Sequence, residues 1–341
     1  MTAKSKNKDI VVGIAYDAFD PETGKKVERL SEESVAQMAN EVLTAVTDLG
    51  YTVFILPLHK SFLGFLNRLK VLNADVIINL CEAFAGHPQL ESNVASAFEL
   101  MRMAFTGNDS RTLALCLNKF KTKAVLKSCG LPTAPAMLMD APDAKLEIPF
   151  PVIVKPNRED ASLGITPESV CHDAESLQKQ VQRILDIYDQ PALVEAYIEG
   201  REFNVAVYDV DKPEALPVSE IDFGQMPEGQ PHILSYEAKW ITDAAIYQGS
   251  LPVCPAPIDD ALRAKLQETA VKAFLAAECR DYARIDFRMD KKGRIFVLEV
   301  NPNPDISLNA GYARALGAAG IEYKAFWQGL IAKAIARRPK R

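Results

Sequence analysis

No stretch of this chain holds the roughly 20 consecutive apolar residues that a membrane-crossing helix needs, so a membrane partner is not expected. The opening residues, Met1 to Asp9, are polar and lack the apolar segment of a secretory signal. Export by that route is not expected, and a cytoplasmic location is. Cysteine is scarce: Cys81, Cys116, Cys129, Cys171, Cys254 and Cys279 are the six in 341 residues, and none forms a CxxC pair. That pattern suits neither a zinc site nor a small disulfide scaffold, and it reads as reduced, mostly buried thiols. The four histidines, His59, His87, His172 and His232, show no metal-ligand spacing. Positive charge is not in excess, since 39 Lys and Arg face 45 Asp and Glu for a net charge of −6. A nucleic-acid backbone is therefore excluded as the expected partner. The basic residues near the ends (Lys4, Lys6, Lys8; Arg337, Arg338, Lys340, Arg341) read as short solvated tails. There is no internal repeat and no low-complexity segment.

What is present is an ordinary globular composition, 48% hydrophobic and 25% charged, in a chain long enough for two or three packed lobes. Apolar runs at Ile10–Ala15, Tyr51–Leu56 and Ala74–Leu80 read as strands, and the segments Ser31–Leu49 and Glu91–Met103 have helical period. Strand and helix alternate here, which predicts a parallel sheet covered by helices, ending near Thr106-Gly107. Beyond it, Arg111–Ser128 reads as one helix stopped by Gly130 and Pro132. Val152–Lys155 and Ala192–Glu195 read as strands around a helix at Ser176–Ile187. Glu202–Asp209 and Pro217–Phe223 follow as neighbouring strands. Residues 224–250 show no period, and so long an irregular stretch predicts a functional loop. A helix is predicted at Ala261–Ala277. Tyr282–Met289 and Ile295–Val300 form a hairpin around Asp290–Gly293, and Ala313–Ala318 and Ala325–Ala336 read as helices.

The hairpin carries the first chemical signal. Side chains alternate along a strand, so Arg284 and Asp286 share one face, as do Glu299 and Asn301. If the strands pair, that face offers two carboxylates, an amide oxygen and a guanidinium. Such oxygen donors suit Mg²⁺, which takes few protein ligands and completes its shell with phosphate. The arginine suits a phosphate or a developing oxyanion. The lesser alternative, from these residues alone, is an edge hairpin with a surface ion pair. Lys155 ends a strand beside a loop containing Ser162 and Gly164, from which it can reach a phosphate. Lys119 opens a helical segment. Each lysine by itself reads as a solvated surface charge. The run Leu193-Val194-Glu195-Ala196-Tyr197-Ile198 offers a strand edge and a carboxylate that can read an adenine amino group, and Glu202 lies far enough along to accept from a ribose hydroxyl.

Taken in order, Asn118-Lys119, Val-Ile-Val-Lys155-Pro156, Leu-Val-Glu195 with Gly200-Arg-Glu202, Glu237-Ala-Lys239, Arg284-Ile-Asp286 and Glu299-Val-Asn301 resemble the ATP-grasp superfamily, and within it the D-alanine–D-alanine ligase group. The likeness runs from about residue 10 to about residue 335. It implies an α/β protein, α+β toward its C-terminus: a parallel N-terminal lobe (1–108), a central lobe (109–198) and a catalytic lobe (199–341), with nucleotide between the last two. By the same resemblance, Lys119, Lys155 and Ser162 hold ATP phosphates. Glu195, with the backbone of Tyr197 and Ile198, binds adenine, and Glu202 binds the ribose. Lys239 closes over the γ-phosphate. Asp286, Glu299 and Asn301 coordinate two Mg²⁺ ions, or Mn²⁺ in their place. Arg284 stabilises the acyl phosphate and tetrahedral intermediate. The implied partners are a small-molecule carboxylate and an amine, and a homodimer is compatible with the group.

The departures fall on the substrate side. The group's His-Gly loop after the third strand is replaced by Asn79-Leu-Cys81-Glu82-Ala-Phe-Ala-Gly86-His87, and its paired serines by Ala161-Ser162. Trp240 stands for a tyrosine, Ala310 for a serine that grips the second substrate's carboxylate, and Asn301-Pro-Asn-Pro-Asp305 for Asn-Thr-Xaa-Pro-Gly. Losing two hydroxyls removes hydrogen bonds that discriminate between substrates. The expectation is retained ATP chemistry with altered substrate recognition. Glu32, Glu33 and Glu82 are candidates for a substrate amino group. The alternatives are D-alanine–D-alanine ligase itself, and a nucleotide-binding protein or small-molecule kinase on the same scaffold.

Overall fold

The computed structural model describes residues 7–18 and 29–338, excluding the side chains of 29–33. Among the described residues, the strands form three sheets. The first has β1 (Val11–Asp17) between β2 (Thr52–Leu58) and β3 (Val76–Asn79), all parallel. Its strands are apolar on both faces because both faces are covered. On one side Val35, Met38, Val42 and Val46 of α1 (Arg29–Asp48) pack with Trp327 and Leu330 of α11 (Tyr323–Ala336), a helix from the far end of the chain. On the other side lie Phe65 and Leu69 of α2 (Phe62–Leu72) and Phe98 of α3 (Glu91–Leu100). The sequence reading gives no helix at α2. It is nucleated by Ser61, whose hydroxyl accepts the Gly64 N–H at 3.1 Å.

The predicted helix over 111–128 is two helices, α4 (Ser110–Leu117) and α5 (Lys119–Ser128). The break is at Asn118, whose side chain accepts from Lys121 N–H and from Asn157 Nδ2, 3.1 Å in each case. The second sheet has the order β4 (Ala136–Met139), β7 (Ala192–Ala196), β5 (Val152–Pro156), β6 (Val170–Cys171), all antiparallel. Helix α6 (Ala174–Tyr188) packs on it through Leu177, Val181 and Ile184.

The third sheet runs β11 (Leu251–Val253), β10 (Ser219–Asp222), β8 (Gly200–Asp209), β12 (Tyr282–Asp290), β13 (Ile295–Asn301), with β9 (Pro213–Ala215) also on β8. Phe203, Val205, Ile285 and Phe287 point to one face and pack on Leu266 and Phe274 of α9 (Asp260–Ala276). The opposite face is thereby left for polar residues. Gly200, where β8 begins, has φ 154°, and a Cβ there would lie 2.0 Å from the Met289 carbonyl oxygen. Only glycine lets the two backbones approach so closely. Residues 224–250 are less irregular than expected, since they contain the short helices α7 (Tyr236–Trp240) and α8 (Ala245–Gln248). Arg337 is not a solvated tail: its Nη2 lies 2.8 Å from Asp281 and donates to the Phe105 carbonyl at 2.9 Å.

Candidate active site

The polar face of the third sheet is set by register. Arg284 sits opposite Asn301, Asp286 opposite Glu299, and across β8 the neighbours are Asn204 beside Asp286 and Glu202 beside Arg288. Arg284 grips Asp286 in a two-pronged contact, Nε and Nη2 each at 2.8 Å. Asn301 Nδ2 donates to Asp286 at 2.9 Å and to Glu299 at 3.3 Å. The pairing expected from alternation is therefore present. Among the described residues, no three of His, Cys, Asp or Glu form a ready-made metal cage. Asp286 and Glu299 fit Mg²⁺ in the way hard oxygen ligands do when phosphate supplies the rest of the shell. Asn301 turns its NH₂ group, not its oxygen, toward the two carboxylates, so ligation by Asn301 requires the amide to rotate.

Across from this face lies a buried ion network. Lys119, Lys123, Lys155 and Glu195 are each no more than 6% exposed. Glu195 is wedged between two lysines: one carboxylate oxygen meets Lys155 Nζ and the other lies 2.8 Å from Lys123 Nζ. Its carboxyl is held below the ordinary range, because the two ammonium groups outweigh the effect of burial. Glu195 thus organises lysines instead of presenting a free carboxylate to adenine. Lys119 sits behind the cleft wall, 2.9 Å from Asp160 and 3.4 Å from Glu299. Burial works against its charge, yet these carboxylates push its pKa up. Glu299 is drawn down to about 2, with Lys119, Lys155 and Arg284 overriding burial. Local pairing aligns these parts: Lys119 N–H donates to the Asn157 carbonyl at 3.1 Å, and Phe120 N–H to Asn157 Oδ1 at 3.0 Å. The start of α5 is thereby tied to the end of β5. Lys123, one turn beyond Lys119, is invisible to sequence reasoning, because a lysine inside Lys-Phe-Lys-Thr-Lys-Ala resembles a solvated helix face.

Between β7 and β8, the Tyr197 N–H donates to the Pro151 carbonyl at 3.0 Å, and the Ile198 carbonyl accepts from Arg288 at 2.8 Å and 3.0 Å. The Ile198 N–H has no partner among the described residues and is available to a ring nitrogen. Arg288, absent from the expected site, also donates to Glu202 at 3.0 Å and to the His232 carbonyl at 2.8 Å. It stands 5.7 Å over the Tyr197 ring. Burial pushes the Glu202 carboxyl up despite that partner.

The segment bearing Lys239 is docked on the loop that holds Ala161 and Ser162. Trp240 Nε1 donates to the Ala161 carbonyl at 3.0 Å, and Ser162 Oγ donates to the Leu234 carbonyl at 2.8 Å. Ala161 and Ser162 have φ 55° and 62°, a left-handed turn that these contacts hold in place. Lys239 makes no ion pair among the described residues. Its ammonium lies 5.1 Å over the Trp240 ring, and its pKa is lowered by burial and by Arg284.

On the first-sheet side the lining is acidic. Asp17, at the end of β1, accepts the Glu82 N–H at 2.7 Å. Burial pushes its carboxyl up to about 6. Glu82 and buried Glu91 are also raised, burial being the larger cause and neighbouring carboxylates the next. Asn303 bridges Glu91 and the Cys81 carbonyl, at 3.1 Å and 2.9 Å. Glu32 and Glu33 have side chains outside the described residues. Ala310 begins helix α10 (Gly311–Ala318) with no side-chain cap.

These groups surround one cleft of about 670 Å³ between the three sheets. Its wall includes Lys155, Ser162, Glu195, Tyr197, Ile198, Glu202, Lys239, Arg284, Asp286, Glu299 and Asn301, and on the acidic side Asp17, Glu82, Glu91 and Asp305. Of the expected site residues, Lys119 alone does not reach the wall. A two-sheet clamp with lysines on one jaw and a carboxylate-bearing sheet face on the other defines an ATP-grasp enzyme of the carboxylate–amine ligase class.

The comparisons agree. The family described as "D-ala D-ala ligase C-terminus" matches residues 125–332, well over half of the chain, and the chain belongs to that family. An uncharacterized protein of Sinorhizobium fredii, y4sG, is 32% identical over 301 residues, covering 86% of each chain. The D-alanine–D-alanine ligase of Pseudomonas putida is 26% identical over 320 residues, 92% of each chain. The D-alanine–D-alanine ligase of Bacillus anthracis complexed with ATP superposes with a TM-score of 0.74 at 18% identity, covering 96% of this chain and 98% of that one.

Two outcomes follow from the electrostatics. Glu195→Gln leaves two buried lysines without a counter-charge and should cost about 3–5 kcal/mol in urea unfolding. Adding Lys123→Met should recover part of that loss; an unchanged unfolding midpoint in the single variant would show that the network is not buried. Asp17 binds its proton more tightly folded than unfolded, so its stabilising contribution is full below pH 3.8 and is lost as pH rises through about 6. Asp17→Asn should therefore gain stability over wild type as pH is raised from 4 to 8, by at most about 3 kcal/mol. Parallel pH profiles for the two proteins would contradict this.

Proposed function

We propose that this chain activates a small-molecule carboxylate with ATP and joins it to an amine, and that its natural substrates are not two D-alanines. The observation that carries the reading is the facing of Asp286, Glu299 and Arg284 on one jaw with Lys155 on the other, across a cleft with room for a nucleotide and two small substrates. In this reading the Ile198 N–H meets the adenine ring and Glu202 the ribose. Lys155, Lys239 and, after release from Asp160, Lys119 neutralise the phosphate chain. Asp286 and Glu299 would hold Mg²⁺, which supplies further charge neutralisation on the phosphate oxygens when bound.

A carboxylate is a poor electrophile because its departing group would be an oxide. Its oxygen attacks the γ-phosphorus, the bond to ADP breaks, and an acyl phosphate forms. The amine then attacks the acyl carbon, orthophosphate leaves, and the amine gives up a proton. Negative charge builds on the acyl oxygen during this second step. Arg284, already fixed by Asp286, is a preorganised donor for it. Docking of α7 through Trp240 brings Lys239 over the same space and excludes water from the acyl phosphate.

Altered substrates are supported by what lines the acceptor end. The helix α10 begins with a methyl group at Ala310, and the first-sheet wall carries Asp17, Glu82 and Glu91. A screen of carboxylic acids and amino acids in pairs, read by ADP release and by mass spectrometry of the product, tests the reading. ADP release should require both an acid and an amine. Turnover with D-alanine alone, at the rate of the best pair, would show the chain to be a D-alanine–D-alanine ligase; ADP formed with a single hydroxyl substrate would show a kinase. Glu299→Gln should lower ADP formation by about 100-fold or more while the protein remains folded. Normal turnover in that variant would remove the metal assignment.

A further inference from the structure

Arg288 is a charged group of the cleft wall that neither the lysine jaw nor the Asp286–Glu299 face uses. It lies on β12, is 3% exposed, and has Glu202 of β8 as its register neighbour. Its guanidinium donates four hydrogen bonds, and they go to three separate segments. Nε and Nη2 reach the Ile198 carbonyl, on the connection between β7 and β8, at 3.0 Å and 2.8 Å. Nη1 reaches Glu202 Oε2 at 3.0 Å and the His232 carbonyl at 2.8 Å. The rings of Tyr197 and Phe223 lie 5.7 Å and 5.9 Å from it. One carboxylate balances the charge. The two carbonyls come from different stretches of chain, so the planar fork works as a tie between them.

Each tie fixes a group that faces the cleft. The Ile198 carbonyl belongs to the residue whose N–H is available to a ring nitrogen, so holding one restricts the other. On Glu202, Oε2 is taken by Arg288, and Oε1 makes no hydrogen bond among the described residues while the side chain lines the cleft. One acceptor oxygen is therefore left, in a fixed orientation. Burial favours protonation of this carboxyl, and Arg288 opposes it. His232 starts a strap over residues 232–234. Its far end is held where Ser162 Oγ donates to the Leu234 carbonyl at 2.8 Å. The Phe223 ring stacks on the His232 ring at 5.3 Å, and Ile233 and Leu234 face the cleft.

Building on the ligase reading, we infer that Arg288 is a positioning residue for the sugar of the nucleotide. It holds Glu202 with one free oxygen turned toward a ribose hydroxyl and pins the 232–234 strap beside the base. The hydroxyl donates to Oε1. A deoxynucleotide that lacks that hydroxyl leaves the oxygen unpaired in an enclosed place, so the cleft rejects it. Arg288 acts through Glu202 and touches no reacting atom.

The test is calorimetric binding of ADP, 2′-deoxy-ADP and 3′-deoxy-ADP with Mg²⁺. The proteins are wild type, Arg288→Met, Arg288→Lys, Glu202→Gln and the double variant Arg288→Met/Glu202→Gln, each checked for folding by circular dichroism. Wild type should bind ADP about ten-fold or more tighter than at least one deoxynucleotide. Arg288→Met should weaken ADP most and bring that ratio within about two-fold, and Arg288→Lys should restore part of it. Glu202→Gln should lower the ratio as far, and the double variant no further. If Arg288→Met does not fold, Arg288→Lys carries the test, since a single ammonium cannot serve all three segments; an unchanged ratio there overturns the assignment. An equal loss for all three nucleotides in Arg288→Met, with the ratio intact, also overturns it and leaves a packing role. A ratio lost in Glu202→Gln but kept in Arg288→Met overturns the role of Arg288 alone, with the ligase reading standing. Equal binding of the three nucleotides by wild type removes the ribose contact as well, and no nucleotide binding at all removes the ligase reading with it.

Discussion

The site depends on three buried lysines that are each held against a carboxylate. Lys119, Lys123 and Lys155 come from a helix and a strand that meet at Asn118 and Asn157, and each finds a carboxylate on another element: Asp160, Glu299 or Glu195. Taking an ammonium out of water costs several kcal/mol unless it is compensated. The carboxylates therefore do more than pair. They dictate where β5, β7, α5 and β13 lie relative to one another, because a small displacement would strand a charge. The buried Glu195 joins strand to helix within the second sheet, and Glu299 reaches across to join that sheet to the third. In the proposed reading, a triphosphate entering the cleft offers the same lysines more negative charge than the carboxylates do, so that the resting network and nucleotide binding would use one electrostatic design.

Much of this was legible in the sequence wherever the pattern is local. Two-residue alternation put Arg284 with Asp286 and Glu299 with Asn301, and the hairpin register sets them opposite each other. The parallel first sheet was readable because doubly buried strands are continuously apolar. What stayed hidden rests on distant partners. Lys123 earns its role from a strand 72 positions away, Arg288 from the Ile198 and His232 carbonyls, and Arg337 from Asp281. Each sits in a stretch whose local composition suggests solvent. Glu195 was expected to face adenine because its strand edge looked free, and only the arrival of two lysines changes that reading. The break at Asn118 was hidden for the same reason: its partner is Asn157.

The division of labour across the cleft follows from these constraints. Lys119, Lys123, Lys155, Arg284, Asp286 and Glu299 resist change, since each is tied to an opposite charge on a neighbouring residue. The first-sheet side is bound by fewer such ties: Asp17, Glu82 and Asp305 make no ion pairs among the described residues, and Arg314 makes none either. In the proposed reading, substrate recognition varies there without disturbing the lysine–carboxylate network. Trp240 links the two regions, because its indole N–H fixes α7 onto the Ala161 turn and sets the height of Lys239. In the proposed reading, enclosure of the reacting atoms and placement of Lys239 thereby depend on one contact.

A crystal structure with Mg²⁺ and a non-hydrolysable ATP analogue tests the central claim most directly. The account requires the phosphates to lie between Lys155 and the Asp286–Glu299 face, with Lys119 released from Asp160 and the adenine against the Ile198 N–H. Nucleotide bound outside this cleft, or phosphates that touch neither jaw while the lysine–carboxylate network stays unchanged, would contradict it.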